Sequence, residues 1–575
     1  MTRIYNDPGE FAEEALTGFA AAHRATARRV HGGVIRATRA TEPQVAVITG
    51  GGSGHYPAFA GWLGPGIAHG VACGNVFASP AVAQIYSVCK AAHQGRGLLV
   101  SFGNYAGDVL HFSNAAERLR NEGIDVRIVP ITDDVASAPR DRESDRRGIA
   151  GDLMVLKVTG SAAAEGAELA EVERLARRAN SRTRTLGVAF AGCTLPGASA
   201  PLFTVAEGEM SIGLGIHGEP GISEKPMGTA AQIAAELVEA VLAEAPGDTQ
   251  RIAVLLDGLG TVKYEELFVV YASVSQLLEE AGYEIVAPEV GEQCTSLDMA
   301  GLSLTVMYLD EELEHHWQTA CDTPAFKRGS VSDHGALATE PAESQSVVAP
   351  IAPGSAASQA AAAVVSRGLL TVADLLAAEQ KRLGDLDAVA GDGDHGIGMA
   401  RGSRAALESC AASRDAGAGV RTTLERASEA WSERAGGTSG ALWGAALAAV
   451  AATLDDEAVP SLDGIYAAVA AVREALGQLG GAVPGDKTMM DAVVPFADAL
   501  AAAQSEGPGR AWAKGVAAAR AGADGTKEFA AKLGRSRVLG DKSIGTPDPG
   551  AESFALVVEA LAPAISRASK SEGTA

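Results

Sequence analysis

The chain has 575 residues, with 71 acidic against 47 basic side chains and a formal charge of −24; at roughly 100–200 residues per domain, this length predicts about three or four units. Charge of that sign repels phosphate backbones and anionic lipid. It argues against nucleic acid and membrane as partners, and it requires a local device, a metal or backbone amides, to hold any phosphorylated ligand. Hydrophobic residues make up 47% of the chain and aromatic ones only 5%, while glycine reaches 68, above the roughly 40 expected at about 7% usage.

The N-terminal stretch MTRIYNDPGEFAEEALTGFA lacks the basic-then-apolar order of a signal peptide. The apolar run 441–454 is too short for a membrane span of about 20 residues. Six cysteines without a CxxC pair read as reduced thiols of a cytoplasmic protein and support no zinc site. Strand signals at 44–50, 97–105 and 125–131 alternate with helical patterns such as 81–94. This alternation predicts a parallel sheet with ligands beyond its C-terminal strand ends. A helical segment near 164–180 leads into a second α/β stretch with strands at 185–192, 251–260, 283–290 and 303–310. Residues 329–354 turn to Ser, Ala, Glu, Pro and Gln without periodicity and read as a linker. Residues 355–575 are Ala-rich helical runs broken by Gly-containing loops, which predicts an all-α domain. The expected layout is a two-part α/β domain over 1–328 (about 1–182 and 183–328), the linker, and a helical domain.

Five sets of loops carry chemistry. ITGGGSGHYPAF (48–59) follows a strand, and its glycines free backbone amides to face a ligand. It is no dinucleotide fingerprint, because His55 stands at the third glycine of GxGxxG; a Walker A loop is excluded because the chain has no Gly-Lys pair. SFGNYAGDVLHF (101–112) places Asn104, Tyr105 and Asp108 after the next strand. Asp108 reads as a base for a substrate hydroxyl or as the N-cap of the following helix. In GLGIHGEPGISEKPMG (213–228), His217 stands among glycines with little side-chain cover, which suits a nucleophile or base. LDAVAGDGDHG (386–396) converges Asp387, Asp392 and Asp394 on a glycine-broken loop. Such hard oxygen ligands suit Mg²⁺, and no register places the Glu of an EF-hand. Finally, GGTSGALWG (436–444), PGDKTMMDAV (484–493) and GRSRVLGDKSIGTPDPGAES (534–553) offer backbone amides, Thr438, Ser439, Lys487, Arg535 and Lys542 to phosphates. Met489 and Met490 of the second loop are soft apolar contacts for a base. Together with the carboxylate loop they read as a nucleotide site.

These motifs, from GGGSGH through NYxGD and GIHGEPG to GDGDHG, GDKTMMDA and DPGAxS, resemble the single-chain, ATP-dependent dihydroxyacetone kinases over nearly the whole length. The resemblance implies a two-part α/β substrate domain, an antiparallel α-helical barrel that binds Mg–ATP, and a homodimer. It implies that His217 forms a covalent hemiaminal with the carbonyl carbon of a small ketose. Asp108 would act as base on the primary hydroxyl, His55 would orient or polarise the substrate, and Gly52 and Ser53 would line the pocket. It implies Mg²⁺ on Asp387, Asp392 and Asp394. His395, Ser439 and Arg535 would lie near the phosphates, and Gly396, Thr438, Gly440, Lys487, Thr488, Met489, Met490, Asp548, Pro549 and Gly550 would belong to the nucleotide site. Two positions depart from the family: Gly103 stands where a lysine precedes Asn-Tyr, and Tyr56 where Gly-His-Glu-Pro has its glutamate. With Asn104, these two positions complete the expected substrate contacts. GHYPAF with GNYAGD is similar to the erythrulose-kinase branch, and Gly103 would leave room for the extra CH(OH) of a four-carbon ketose. The expected reaction is D-erythrulose to D-erythrulose 4-phosphate. The alternatives are dihydroxyacetone kinase, a catalytically silent ketose-binding regulator, and an FAD-cyclising lyase.

Overall fold

A computed structural model describes residues 2–332, 335–337, 351–389, 391, 393–458, 460–533 and 542–572. The chain divides into two compact units, Met1–Ser346 and Val347–Ala575. Asp392, Arg535 and most of the expected linker 329–354 lie outside the described residues; within that span, Ala336–Leu337 pairs with Thr38–Arg39.

The first unit is built on two sheets. One runs in the order Ala27–Val30, Gly33–Arg36, Gly70–Val76, Gln44–Ser53, Gly95–Gly103, Val126–Ile131. Its inner strands Gln44–Ser53 and Gly95–Gly103 are parallel to each other and to their outer neighbours. Being covered on both faces, Gln44–Ser53 is buried along nearly its whole length, which explains its unbroken apolar run. The second sheet is ordered Ser223–Pro226, Glu209–Ile212, Thr183–Ala191, Ala300–Tyr308, Arg251–Gly258, Glu284–Ile285, with Glu289–Gly291 also on Arg251–Gly258. Its centre is antiparallel and only one edge is parallel. The parallel sheet expected from the first third of the chain holds for Gly70–Val76, Gln44–Ser53, Gly95–Gly103 and Val126–Ile131, while Ala27–Val30 and Gly33–Arg36 join antiparallel.

The helix Gly151–Ala164 packs against strands of both sheets and buries every residue except its last. A helix buried on every face belongs in a core. Leu169–Ser181, by contrast, buries only Leu169, Val172, Leu175, Ala176 and Ala179, a single helical stripe that covers the first sheet. Ala230–Leu242 begins with a reciprocal cap in which Thr229 N–H donates to Gln232 Oε1 (2.9 Å) and Gln232 N–H to Thr229 Oγ1 (3.3 Å).

The second unit has eight α-helices among its described residues: Ala356–Asp387, His395–Asp415, Val420–Ala435, Gly437–Ala452, Gly464–Gly480, Met490–Ala502, Pro508–Gly525 and Pro549–Glu572. Each packs on the next, and the last packs on the first, closing a ring. Aromatic rings form part of its core: Trp431 stacks on Trp443 at 5.3 Å, and Phe496 stands edge-on to Trp512 at 4.9 Å and to Phe554 at 5.6 Å. Ala356–Asp387 is long and apolar enough to cross a membrane, a feature the sequence reading passed over. Here it is a wall of the ring, packed on His395–Asp415, Val420–Ala435 and Pro549–Glu572.

Candidate active site

The parallel strands Gln44–Ser53 and Gly95–Gly103 end side by side; the loop after the first carries His55, and the helix after the second carries Asp108 in its first turn. His55 is 1% exposed. Its Nδ1 lies 2.8 Å from the Thr295 carbonyl and its Nε2 3.1 Å from His217 Nε2. His217 is in turn held by Glu219, whose Oε1 accepts from Nδ1 at 3.0 Å and whose Oε2 accepts from the His217 backbone N–H at 3.0 Å. A carbonyl and a carboxylate can only accept, so both Nδ1 atoms carry protons. The contact between the two Nε2 atoms therefore requires one further proton shared between the rings. When that proton leaves, His217 Nε2 presents a lone pair whose direction is set by Glu219.

Glu219, 1% exposed, faces Arg147 at 3.7 Å, and Arg147 also binds Asp134 at 2.8 Å. The rings of Phe77 and Tyr105 enclose the imidazoles: Phe77 stacks on His55 at 4.8 Å, and Tyr105 stands edge-on to His217 at 4.6 Å. Burial, and then Glu219, push the Tyr105 phenol well above its usual range, so it stays neutral. Asp108 is buried in the first turn of Ala106–Asn121, whose N-cap is Tyr105. The N-cap reading of Asp108 is thereby removed.

The other expected ketose contacts divide. A Cβ on Gly52 would lie 2.7 Å from Ala78 N, and one on Gly54 (φ +101) 2.8 Å from the Phe77 ring. The glycine run thus brings Phe77 against His55. Ser53 Oγ donates to the Gly74 carbonyl at 2.7 Å. Asn104 Nδ2 donates to the carbonyls of Ser144 (3.1 Å) and Arg146 (2.7 Å), tying the strand end to the segment that carries Arg147. Tyr56 requires a correction: its side chain is 49% exposed and faces the Phe19 ring. Gly103 also differs from expectation. A Cβ there would lie 3.1 Å from Gly148 O and 3.2 Å from the Tyr105 ring, so the volume of a missing side chain is already taken.

In the helical unit the loops meet at one end of the ring. His395 is buried and neutral, since burial lowers its basicity more than Asp387 restores it. Its Nδ1 lies 3.0 Å from Ser439 Oγ and its Nε2 3.1 Å from Ser553 Oγ, which joins three helix starts. Asp387 closes Ala356–Asp387, and Asp394 is the N-cap position of His395–Asp415. Gly396 serves helix packing, for a Cβ there would lie 1.9 Å from Gln380 O. Gly437–Ala452 offers its first turn, with exposed Thr438, Ser439 and buried Gly440, and such a helix start attracts anions. Pro549 and Gly550 open Pro549–Glu572, and Asp548 Oδ1 accepts from Ala551 N–H at 2.7 Å. Thr488 N–H donates to Asp491 Oδ2 at 2.8 Å. Burial, then the charges of Asp387 and Asp491, push the Asp548 carboxyl up to about 7. Carboxylates of one loop cluster that repel one another in this way fit a divalent cation.

Three nucleotide contacts need correction. Lys487 is buried, and its ammonium donates to the carbonyls of Thr526, Phe529, Ser543 and Thr546 at 2.9, 3.1, 2.6 and 2.6 Å. It clamps a loop and faces no phosphate, since its protons are already engaged by four acceptors. Met489 and Met490 are 6% and 7% exposed and belong to the ring's hydrophobic core, where the apolar character that suits a base is used for packing.

Two chemically distinct sites in one chain, one suited to a carbonyl compound and one to a polyphosphate with its cation, are the equipment of a small-molecule kinase. The Dak1 domain model matches residues 17–325 and the DAK2 domain model residues 389–563. An L-erythrulose kinase of Pectobacterium atrosepticum is 51% identical, covering 98% of this chain and 96% of that one. A D-erythrulose kinase of Mycolicibacterium smegmatis is also 51% identical, covering all of both chains. The crystal structure of the dihydroxyacetone kinase of C. freundii with AMP-PNP and Mg²⁺ matches with a TM-score of 0.53 and 29% identity, covering 98% of this chain and 99% of that one. The chain belongs to the dihydroxyacetone kinase family.

Proposed function

We propose that the protein transfers phosphate from Mg–ATP to a primary hydroxyl of erythrulose. The observation that carries this reading is the His55–His217–Glu219 array, with Asp108 buried in the helix turn that follows the neighbouring strand. Full-length similarity to erythrulose kinases supports the ketose. His217 Nε2 adds to the carbonyl carbon while the proton held between the imidazoles moves to the carbonyl oxygen, giving a hemiaminal. Glu219 accepts the Nδ1 hydrogen bond and stabilises the positive charge that develops on His217. Polyols have no carbon for this attack, which makes the step selective for ketoses. Asp108 takes the proton of the primary hydroxyl as it becomes the nucleophile. ATP with its magnesium supplies the phosphoryl group, and Asp387, Asp394, Asp548 and the start of Gly437–Ala452 would hold it. A homodimer and a cytoplasmic setting complete the proposal. The latter agrees with all six cysteines being unpaired.

Relatives named for either enantiomer stand at equal identity, so the D hand expected from the sequence is tested together with the L hand. Kinase assays on D-erythrulose, L-erythrulose, dihydroxyacetone and glycerol should give the highest kcat/KM for one erythrulose enantiomer and no turnover of glycerol. Dihydroxyacetone equal to or better than both enantiomers would overturn the assignment.

A further inference from the structure

One buried acid beside this site has no part in the chemistry above. Asp152 lies in the first turn of the helix between the two sheets and is 2% exposed. Its Oδ1 is buried and makes no hydrogen bond among the described residues, although buried polar atoms nearly always have a partner. A methyl group on Gly148 would lie 3.0 Å from Asp152 Oδ1 and 2.5 Å from Gly103 Cα. The bare oxygen and the end of the strand Gly95–Gly103 thus flank the same point. Asn104 and Asp108 follow directly from that strand, and the charge of Asp108 acts on Asp152.

Burial first, and then Asp133 and Asp108, hold the Asp152 carboxyl well above the usual carboxylate range. A neutral carboxylic acid has one donor and an acceptor, and a secondary alcohol has the same pair. The space expected at Gly103 for an extra CH(OH) is filled by Gly148 and the Tyr105 ring, so the secondary hydroxyl of that group needs a polar partner rather than a void.

We infer that Asp152 is the specificity-determining residue of the ketose site, pairing with the hydroxyl that a four-carbon ketose has and a three-carbon ketose lacks. This rests on the erythrulose reading above. The measurement is the ratio of kcat/KM for erythrulose to that for dihydroxyacetone. Asp152→Leu removes donor and acceptor and should lower this ratio about 10- to 100-fold. Asp152→Asn keeps one donor and one acceptor and should hold it within about threefold of the unmodified enzyme. If the leucine variant loses the native melting transition, Asp152→Ala supplies the same comparison. Equal losses on both ketoses, or an unchanged ratio, would overturn the inference and return Asp152 to a buried acid paired with water. An unmodified enzyme that prefers dihydroxyacetone fails at the earlier step, before any variant is made, so the two failures are distinguishable.

Discussion

At the scale of single residues, Glu219 controls what His217 can do. It grips the histidine at both the ring Nδ1 and the backbone N–H, which fixes the tautomer and the direction of the attacking lone pair. Arg147 and Asp134 behind it make the carboxylate part of a buried ion chain. Replacing Glu219 with glutamine keeps the shape and removes the charge that stabilises the imidazolium. Glu219→Gln should lower kcat/KM for the ketose about 100-fold. Mass spectrometry should show a slower-forming covalent adduct, while the KM for ATP stays as it was. An unaltered adduct rate would show that the glutamate only shapes the loop. His217 is singled out in the sequence by its glycine-rich setting, and Glu219 stands two residues away in the same GIHGEPG motif. The acid was missed because spacing alone does not reveal that a carboxylate curls back onto its neighbour.

At the scale of elements, the helical ring gathers its ligand groups by joining helix starts. His395 bridges the starts of two other helices through Ser439 and Ser553, and Lys487 binds four carbonyls between Thr526 and Thr546. In sequence Lys487 looks like a phosphate ligand, because a lysine in a glycine loop is the usual device. Tertiary packing supplies it with carbonyls instead, and hydrogen bonds from a charged donor are worth about 1.5–3 kcal/mol each. Lys487→Met leaves those carbonyls without their donor. It should destabilise the helical unit by about 2–4 kcal/mol and raise the KM for Mg–ATP at least about tenfold, with ketose adduct formation unchanged. Thermal melts and initial-rate kinetics check the two halves, and a variant with normal ATP kinetics would reduce the clamp to a purely stabilising role.

At the scale of the whole molecule, binding a polyanion to a chain of charge −24 demands that its own acids be bridged. Asp387 and Asp491 raise the Asp548 carboxyl, and a cluster of acids of this kind suits a divalent cation as the bridge. The ketose chemistry uses none of these groups, since His55, His217, Glu219 and Asp108 all belong to the first unit. Chelation with EDTA should therefore abolish phosphoryl transfer and leave the ketose adduct intact by mass, with activity returning on addition of Mg²⁺. Loss of the adduct with the metal would show that the two chemistries are coupled.

The sequence by itself determined the α/β-then-helical order and set histidines and aspartates on glycine-rich loops, from which it predicts a cation-dependent phosphate site. Glycine density, apolar runs and carboxylate spacing are local properties that need no partner across the fold. Tertiary structure alone decided which groups complete those loops. Thr295 reaches His55 across 240 residues and His217 reaches it across 162. The helix bearing Asp152 is apolar enough to read as core, yet its place between two sheets sets a lone acid beside the end of a distant strand. Gly103 looked like room for a substrate until Gly148 and Tyr105 occupied it. Each of these turns on which chain segments pack together, and burial, which decides both the charge of an acid and the free space beside it, exists only once they have packed.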